Sequence, residues 1–287
     1  HTLDTDGTLD GLPFMPEMLR FCCSRFRVYR RVDKINDMKT KTGVRRLRDT
    51  VTLEGLRCDG SVHDGCQAEC QILWKDAWLQ RVTVDVQSKS ASADALPRDA
   101  AGLNSSCGGL KTKSHHSEVD GALYFCQMTA LLQASEPMSW WDVRQDLRSL
   151  FYGNVGLVAF SVASLTRLFN TVQTLRGGCD YPYYPGSDLS KTPKIDLGLK
   201  PGDRVRIKSK EAIANTLDRN GFNRGLRFDR EMIRFCGHRF AVWRCVNKII
   251  GEDSGRMLTM KTTCITLEGV TATGEFLRFC PQNEFAF

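Results

Sequence analysis

The chain has 287 residues, of which 41% are hydrophobic and 25% charged, and a formal net charge of +7. These values are typical of a globular protein of about two domains, and the mild basic excess permits an acidic partner without requiring one. The density of its twelve cysteines along the chain is too low for a small disulfide scaffold. The polar opening HTLDTDGTLDG lacks the apolar stretch of a signal peptide. We therefore expect an intracellular or organellar protein of a reducing compartment, and not a secreted one.

The first segment, residues 1–85, is predicted to be a module of short strands. RFRVYRRV (residues 25–32) alternates apolar and polar side chains, as a half-buried strand does. DTVTLEG (residues 49–55) is rich in β-branched residues before a glycine turn, which predicts a second strand. On the first of these strands one predicted face holds Phe26, Val28 and Val32, and the other holds Arg25, Arg27 and Arg31.

A linker and a helical insert are predicted next. Residues 86–121 are rich in Ser, Ala, Gly and Lys, a composition typical of a low-complexity linker, so the adjacent His115 and His116 are expected to be solvated. Residues 122–178 have helical spacing, which predicts two or three helices. The predicted helix boundaries are Ser135-Glu136-Pro137, Gly153-Asn154 and Gly177-Gly178.

The longest apolar run, residues 155–169, lies within this insert. It contains Ser161, Ser164 and Arg167, and it is shorter than the roughly 20 residues that a bilayer span requires. We therefore expect a buried helix and no transmembrane segment. Residues 179–198, which begin CDYPYYPG, are predicted to be a connector rich in Pro and aromatic residues.

The last segment, residues 199–287, repeats the first. TLDTDGTLDGLPFMPEMLRFCCSRFRVYRRVDKI (residues 2–35) recurs as TLDRNGFNRGLRFDREMIRFCGHRFAVWRCVNKI (residues 216–249). VTLEGLRCDGSVHDGC (residues 51–66) recurs as ITLEGVTATGEFLRFC (residues 265–280). Both blocks align without a gap at an offset of 214 residues. The chain is therefore predicted to contain two copies of one module.

The opening strand of the module has a counterpart in one copy only. LKPGDRVRIKS (residues 199–209) combines a Pro-Gly-Asp turn with alternating residues and resembles the opening strand of SH3-like barrels. No such segment precedes the first copy in the numbered sequence. We expect the missing strand to have been trimmed from the chain or to come from elsewhere.

The predicted fold class is α+β and mostly β, with two homologous small SH3-like barrel modules joined by a helical insert. The whole chain also resembles a mainly bacterial, uncharacterised protein family that carries a duplicated TLD…G…GL.F..EM…C…RV…LEG module. The resemblance covers nearly all of the chain. It implies the two-module architecture and implies no activity.

CDGSVHDGCQAEC (residues 58–70) is the candidate metal site. The repeat aligns Cys22 with Cys236 and Cys66 with Cys280, whereas Ala272 and Leu277 stand at the positions of Cys58 and His63. Three cysteines and a histidine are a common tetrahedral zinc set. The predicted metal ligands are Cys22, Cys58, His63, Cys66 and Cys70, with either Cys22 or Cys70 in the fourth position.

Two alternatives to zinc stay open at this site. With five or more candidate ligands, an iron–sulfur cluster is one, with Cys126 contributing. The other is no metal, with buried thiols or a disulfide from Cys58 to Cys66 or Cys70. In the second copy Cys236 and Cys280 are expected to be ordinary buried thiols.

Sequence motifs of catalysis are missing. The chain contains no phosphate-binding G-x-x-x-x-G-K-[ST], no G-x-G-x-x-G after a strand, no G-x-S-x-G and no H-E-x-x-H. Glu17 and Glu231 occupy equivalent positions, as do Glu54 and Glu268. This recurrence favours a structural role, such as capping a turn or pairing with Arg25 and Arg239.

The function predicted from these features is that of a non-catalytic, metal-binding structural or interaction protein, an accessory subunit with a protein partner in a larger assembly. The first alternative is an iron–sulfur redox or biosynthetic enzyme that uses the cysteines of residues 58–70. The second is a nucleic-acid-binding protein, because RFRVYRRV combines basic and aromatic residues. Any half-exposed strand shows the same alternation, which disfavours this second alternative.

Overall fold

The protein is α+β with more strand than helix. The computed structural model describes residues 2–37, 39–40, 43–82, 113–117, 121–139, 141–183, 186–187, 189, 193–276 and 278–281, with the backbone alone at 113–117 and 121. Contacts divide the chain into two units. The first consists of His1–Trp140 with Lys248–Leu258, and the second of Trp141–Asn247 with Thr259–Phe287.

The first unit is built from small antiparallel sheets and one helix. The elements are β1 (Thr8–Leu9), β2 (Leu12–Pro13), β3 (Val28–Arg31), β4 (Lys34–Asp37), β5 (Gly43–Arg46), β6 (Thr50–Arg57), β7 (Gln71–Lys75), β8 (Lys113–Ser117), β9 (Gly121–Tyr124), α1 (Gln127–Ala134) and β10 (Glu136–Pro137), with 3-10 helices at Pro16–Phe21 and Asp76–Trp78. Strands β3, β6 and β7 form one sheet, β4, β5 and β10 form a second, and β1–β2 and β8–β9 are two-stranded.

Strand β6 and the 3-10 helix Pro16–Phe21 supply the largest core of this unit. Val51 and Leu53 are buried in the first half of β6, where they pack against β7 and the 3-10 helix. Burial of each such side chain stabilises the unit by about 1.5–3 kcal/mol. The members of this core are Met15, Met18, Phe21, Val51, Leu53, Leu56, Ile72 and Trp74.

The second unit combines helices with a three-stranded sheet. Its elements are α2 (Arg144–Phe151), α3 (Leu157–Leu175), β11 (Arg204–Arg206), α4 (Lys210–Ala214), β12 (Phe222–Asn223), β13 (Leu226–Arg227), β14 (Arg239–Ile250) and β15 (Met257–Leu267), with a 3-10 helix at Arg230–Phe235. The end of β14 and the start of β15 belong to the segment Lys248–Leu258 of the first unit. The sheet has the order β11–β14–β15, and the core of the unit contains the buried side chains Ile207, Val242, Leu267 and Val270.

Helix α3 contains most of the longest apolar run of the sequence. The predicted helix is present, but the prediction that it is buried is wrong, because Ala163 is its only buried residue among those described. Apolar composition predicts a helix from local preferences, whereas burial depends on which elements lie beside it. In the part of the chain that the structure describes, no helix meets the length and hydropathy of a bilayer span.

Several local structures occur twice, 214 residues apart. The hairpin β1–β2 corresponds in position to β12–β13, and the 3-10 helix Pro16–Phe21 corresponds to Arg230–Phe235. The pairs of rings at equivalent positions also have the same geometry. The Phe21 and Phe26 centroids are 5.9 Å apart and those of Phe235 and Phe240 5.8 Å apart, both edge to face.

The sheets are smaller than the sequence predicts. Each has two or three strands, and within the described residues none closes into a barrel. Most of the predicted linker, residues 86–121, lies outside the described residues, although Lys113–Ser117 forms β8. The predicted insert, residues 122–178, contains α1, α2 and α3.

Candidate metal centre

The loop between β6 and β7 is folded by its own backbone. The Cys58 N–H donates to the Cys70 carbonyl at 2.9 Å and joins the two ends of the loop. Within the loop the Gly60 carbonyl accepts from the N–H groups of His63 and Gly65, at 3.0 and 2.9 Å. Gly60 has φ of +70°, and a Cβ there would lie 1.9 Å from the Cys66 carbonyl oxygen. Only glycine fits this turn.

Three side chains of metal-ligand type meet beside this turn. The ligand atoms of Glu17, Cys58 and His63 all lie within 4.8 Å of one another. The Cys58 Sγ is 3.4 Å from Glu17 Oε1 and 4.0 Å from His63 Nδ1. Glu17 is 7% exposed and His63 1%. The group is therefore largely shielded from water. In such a buried environment an unpaired charge is costly.

The imidazole of His63 is oriented by the chain near α1. Its Nε2 lies 3.4 Å from the Phe125 carbonyl oxygen. A carbonyl can only accept, so this contact places the proton of a neutral imidazole on Nε2. The lone pair on Nδ1 then faces Cys58. Metal-binding histidines are commonly held in this way by a hydrogen bond from the other ring nitrogen.

Burial and a neighbouring carboxylate keep Cys58 protonated in the absence of a cation. Burial raises the pKa of the Cys58 thiol well above its ordinary value, and the adjacent Glu17 raises it further, while a hydrogen bond from the Gly60 N–H opposes the shift. Glu17 Oε2 is buried and has no hydrogen-bond partner among the described residues. A bound cation would favour the thiolate and satisfy the carboxylate together.

The equivalent glutamate of the second unit has different surroundings. Glu231 Oε2 accepts from the backbone N–H groups of Thr273 and Gly274, the latter at 3.2 Å, and from Thr273 Oγ1 at 3.2 Å. This carboxylate caps a turn, as the recurrence of the residue predicts. Ala272 stands where the first unit has Cys58, so only the first unit places a thiol against its glutamate.

Of the five predicted ligands, the structure brings Cys58 and His63 together. Cys22, Cys66 and Cys70 are not members of this group. The Cys22 Sγ lies 3.9 Å from the Met18 carbonyl oxygen. The Cys66 Sγ accepts from the Ile250 N–H at 3.3 Å. The thiols of Cys22 and Cys66 therefore each contact a backbone group outside the Glu17, Cys58 and His63 group.

Two further cysteines lie near the group. Burial raises the pKa of the Cys70 thiol, and charges on Glu252, Cys126, Cys58 and Cys66 would raise it further. Cys126 precedes α1 and packs against the same core as Cys58. Burial raises the pKa of its thiol as well.

The sequence prediction did not include Glu17 in the candidate metal site. The recurrence of glutamate at positions 17 and 231 indicates a structural role for both. The available signal was the difference between the two copies, since only the first has a cysteine and a histidine at positions 58 and 63, where the second has Ala272 and Leu277.

Comparison with known proteins identified no relative. No protein-family model, no curated protein and no solved structure matches this chain.

Proposed function

We propose that this chain is a non-catalytic, metal-binding protein with a structural or interaction role, and that its first unit binds one zinc ion through Glu17, Cys58 and His63. The observation that supports the proposal best is the buried Glu17 carboxylate. Its Oε2 has no hydrogen-bond partner among the described residues, and Oε1 lies against a thiol. A buried acceptor without a partner is unfavourable unless a cation or a donor satisfies it.

The ligand types and their spacing support zinc. Thiolate sulfur, imidazole nitrogen and carboxylate oxygen are its usual ligands. In a tetrahedral zinc site neighbouring ligand atoms are about 3.5 Å apart, and the separations of 3.4 and 4.0 Å around Cys58 are close to this value. One thiolate and one carboxylate together balance the charge of a divalent ion. Cys126 is the nearby candidate for a fourth ligand.

A bound ion would connect the 3-10 helix Pro16–Phe21 to the loop between β6 and β7. We further propose that residues 1–85 and 199–287 are copies of one SH3-like module. The recurrence of the hairpin, the 3-10 helix and the ring pair supports this. Because the second copy has Ala272 and Leu277 in place of two ligands, the module does not require zinc to fold. The ion would then brace the loop that carries it.

Metal analysis of protein purified without oxygen tests the proposal. We expect about one zinc per chain and no visible absorbance. Cys58→Ala and His63→Ala should each lose the metal, whereas the matched variant Cys22→Ser should retain it. Zinc that stays bound in Cys58→Ala, or is lost in Cys22→Ser, would contradict the proposed ligands.

An iron–sulfur protein is the second candidate, and the grouping of thiols favours it. Cys58 and Cys126 pack against the same core, and the Cys58 N–H donates to the Cys70 carbonyl at 2.9 Å, so three cysteines lie in one region. Iron with sulfide and a brown absorbance in the same samples would support this redox alternative over zinc. Loss of the cluster in Cys66→Ser and Cys70→Ser would then identify its ligands.

A further inference from the structure

The sheet of the second unit has one face toward the core and one toward solvent. Strand β11 lies antiparallel to β14, with Arg206 opposite Arg239 and Val205 opposite Phe240. Val205 and Phe240 pack against the core of the unit, and neighbouring side chains of a strand alternate between its two faces. Arg204, Arg206 and Arg239 are therefore on the other face, where all three are exposed.

An aromatic ring lies on the same side of the sheet. Trp243 follows Ala241 by two residues on β14, and Ala241 lies opposite Arg204, so the indole shares the face of the arginines. It is 48% exposed, whereas Val242, the residue between, is 2% exposed and belongs to the core. The outer face of the second unit is thus formed by Arg204, Arg206, Arg239 and Trp243.

The positive charge of the outer face is not balanced by ion pairs. Arg206 lies directly opposite Arg239, and like charges in directly opposite positions destabilise a sheet. Within the described residues of the second unit, the ion pairs of arginine are at other positions, namely Arg167–Asp146, Arg230–Asp180 and Arg234–Glu231. Glu268 lies opposite Ala241, to whose carbonyl its N–H donates at 2.9 Å, and Ala241 separates it from Arg204. A bound anion would relieve the repulsion between Arg206 and Arg239.

The same residue types recur in the first unit. Arg25 and Tyr29 occupy the positions of Arg239 and Trp243, 214 residues earlier, and both are exposed, Tyr29 at 44%. Val28, which the sequence places on the opposite, apolar face, is exposed as well, at 59%. The separation of a buried face from a basic one is therefore a property of the second unit, while the arginine and the ring are common to both.

We propose that the outer face of the second unit binds single-stranded nucleic acid. Proteins that bind single strands combine a basic surface along the phosphates with aromatic side chains on which bases stack. Neighbouring strands of a sheet are about 4.8 Å apart, so the guanidinium groups of Arg206 and Arg239 can contact one phosphate and Arg204 the next. Trp243 then stacks on a base.

Two other occupants fit this face less well. An acidic protein segment would pair with the arginines but would leave the ring of Trp243 without a base to stack on. Residues 83–112 of the same chain, which lie outside the described residues, contain as many basic as acidic residues, so they are not a polyanion. The sequence points to nucleic acid through residues 25–32, whereas the exposed arginines and ring of the structure favour the second unit.

The nucleic-acid site rests on the interaction role proposed above and does not depend on zinc. Protein that binds an oligonucleotide but no zinc would keep this site and lose the metal proposal. Protein that binds zinc but no oligonucleotide would lose only this site.

Fluorescence anisotropy of a labelled oligothymidine of about 20 nucleotides tests the site. Affinity should fall as salt rises, with a log–log slope of about −1.4, or roughly −0.7 for each of the two phosphates contacted. Trp243→Ala should weaken binding by about tenfold, the loss expected for one stacked base. A duplex of the same length should bind less tightly, because its bases are already stacked on one another.

Arg204→Gln should make the salt slope shallower by about 0.7, since one phosphate contact is removed. Arg227→Gln is the matched control, because Arg227 is exposed on β13 of the same unit, and it should retain the parental slope. Arg204 is exposed, so this pair keeps the test decisive if Trp243→Ala does not fold. The absence of binding, equal affinity for the duplex, or equal slopes in the two arginine variants would overturn the proposal. Tighter binding of polyglutamate than of oligothymidine would also overturn it and assign the face to an acidic protein.

Discussion

Glu17 and Glu231 show how one residue type at equivalent positions acquires two roles. Glu231 satisfies the backbone of residues 273–274, whereas Glu17 lies against Cys58 and leaves one oxygen without a hydrogen-bond partner among the described residues. The local sequences PEM and REM do not distinguish these outcomes. The distinction arises 41 residues away, where Cys58 stands in one copy and Ala272 in the other.

Replacing each glutamate by glutamine should therefore have opposite effects. In metal-free protein Glu17→Gln should leave the free energy of unfolding unchanged or raise it, because a buried carboxylate is replaced by a neutral amide, whose burial costs less. Its zinc affinity should fall, because the neutral amide is a weaker ligand than the carboxylate. Glu231→Gln should cost about 1–2 kcal/mol, since charge-assisted hydrogen bonds are weakened, and should leave zinc affinity unchanged. Chemical denaturation and zinc titration of both variants measure this, and equal destabilisation by both would contradict it.

Zinc binding should also release a proton from Cys58. Burial and Glu17 raise the pKa of this thiol, so it is protonated at neutral pH before the metal binds and deprotonated afterwards. Affinity should then fall by about tenfold for each unit by which the pH is lowered. Calorimetry in buffers of different ionisation enthalpy gives the number of protons released, and a value near zero would exclude Cys58 as a ligand.

At the scale of elements, the turn that carries Cys58 depends on a glycine. Gly60 and Gly274 both have positive φ, and a Cβ at either would lie 1.9 Å from a carbonyl oxygen, that of Cys66 or Cys280. Gly55 also has positive φ, but no atom lies within 4 Å of its added Cβ. Alanine at Gly55 would therefore introduce backbone strain alone, whereas alanine at Gly60 or Gly274 would introduce both backbone strain and steric overlap.

Alanine at these glycines should accordingly have graded effects. Gly55→Ala should cost about 1 kcal/mol from backbone strain alone, whereas Gly60→Ala and Gly274→Ala should each cost about 3 kcal/mol, because the turn must also shift. Of the three, only Gly60→Ala should lower zinc affinity. Thermal unfolding and zinc titration test this series, and a Gly60→Ala variant with parental affinity would show that the turn does not position the ligands.

The sequence predicted the elements better than it predicted their surroundings. Two local patterns predicted strands, namely the alternation in residues 25–32 and the β-branched residues 49–55. The structure has β3 in the first of these segments and β6 in the second. The exposure of Val28 and of helix α3 depends on neighbouring elements, which periodicity does not encode. Glu17 was not included in the predicted site for the same reason, since Cys58 and His63, which lie beside it, come from a distant loop.

At the scale of the whole molecule, zinc should stabilise one unit in preference to the other. A ligand at a hundred times its Kd stabilises the structure that binds it by about 2.7 kcal/mol. With zinc, slower hydrogen exchange is expected in Pro16–Phe21 and Gln71–Lys75. Exchange in Arg230–Phe235, the equivalent 3-10 helix of the second unit, should not change. Equal protection of both 3-10 helices would show that the ion acts beyond its own unit.

The discontinuity of the first unit has a consequence for synthesis on the ribosome. Its final piece, Lys248–Leu258, follows Trp140 by more than a hundred residues, and it supplies the Ile250 N–H that donates to Cys66 Sγ and the Gly255 carbonyl that accepts from Tyr124. At roughly 5–20 residues per second, these partners emerge several seconds after the rest of the unit. Until then the loop between β6 and β7 lacks these hydrogen-bond partners. Stalled nascent chains in which Lys248–Leu258 has emerged should therefore resist protease between residues 58 and 70 better than shorter chains in which it has not.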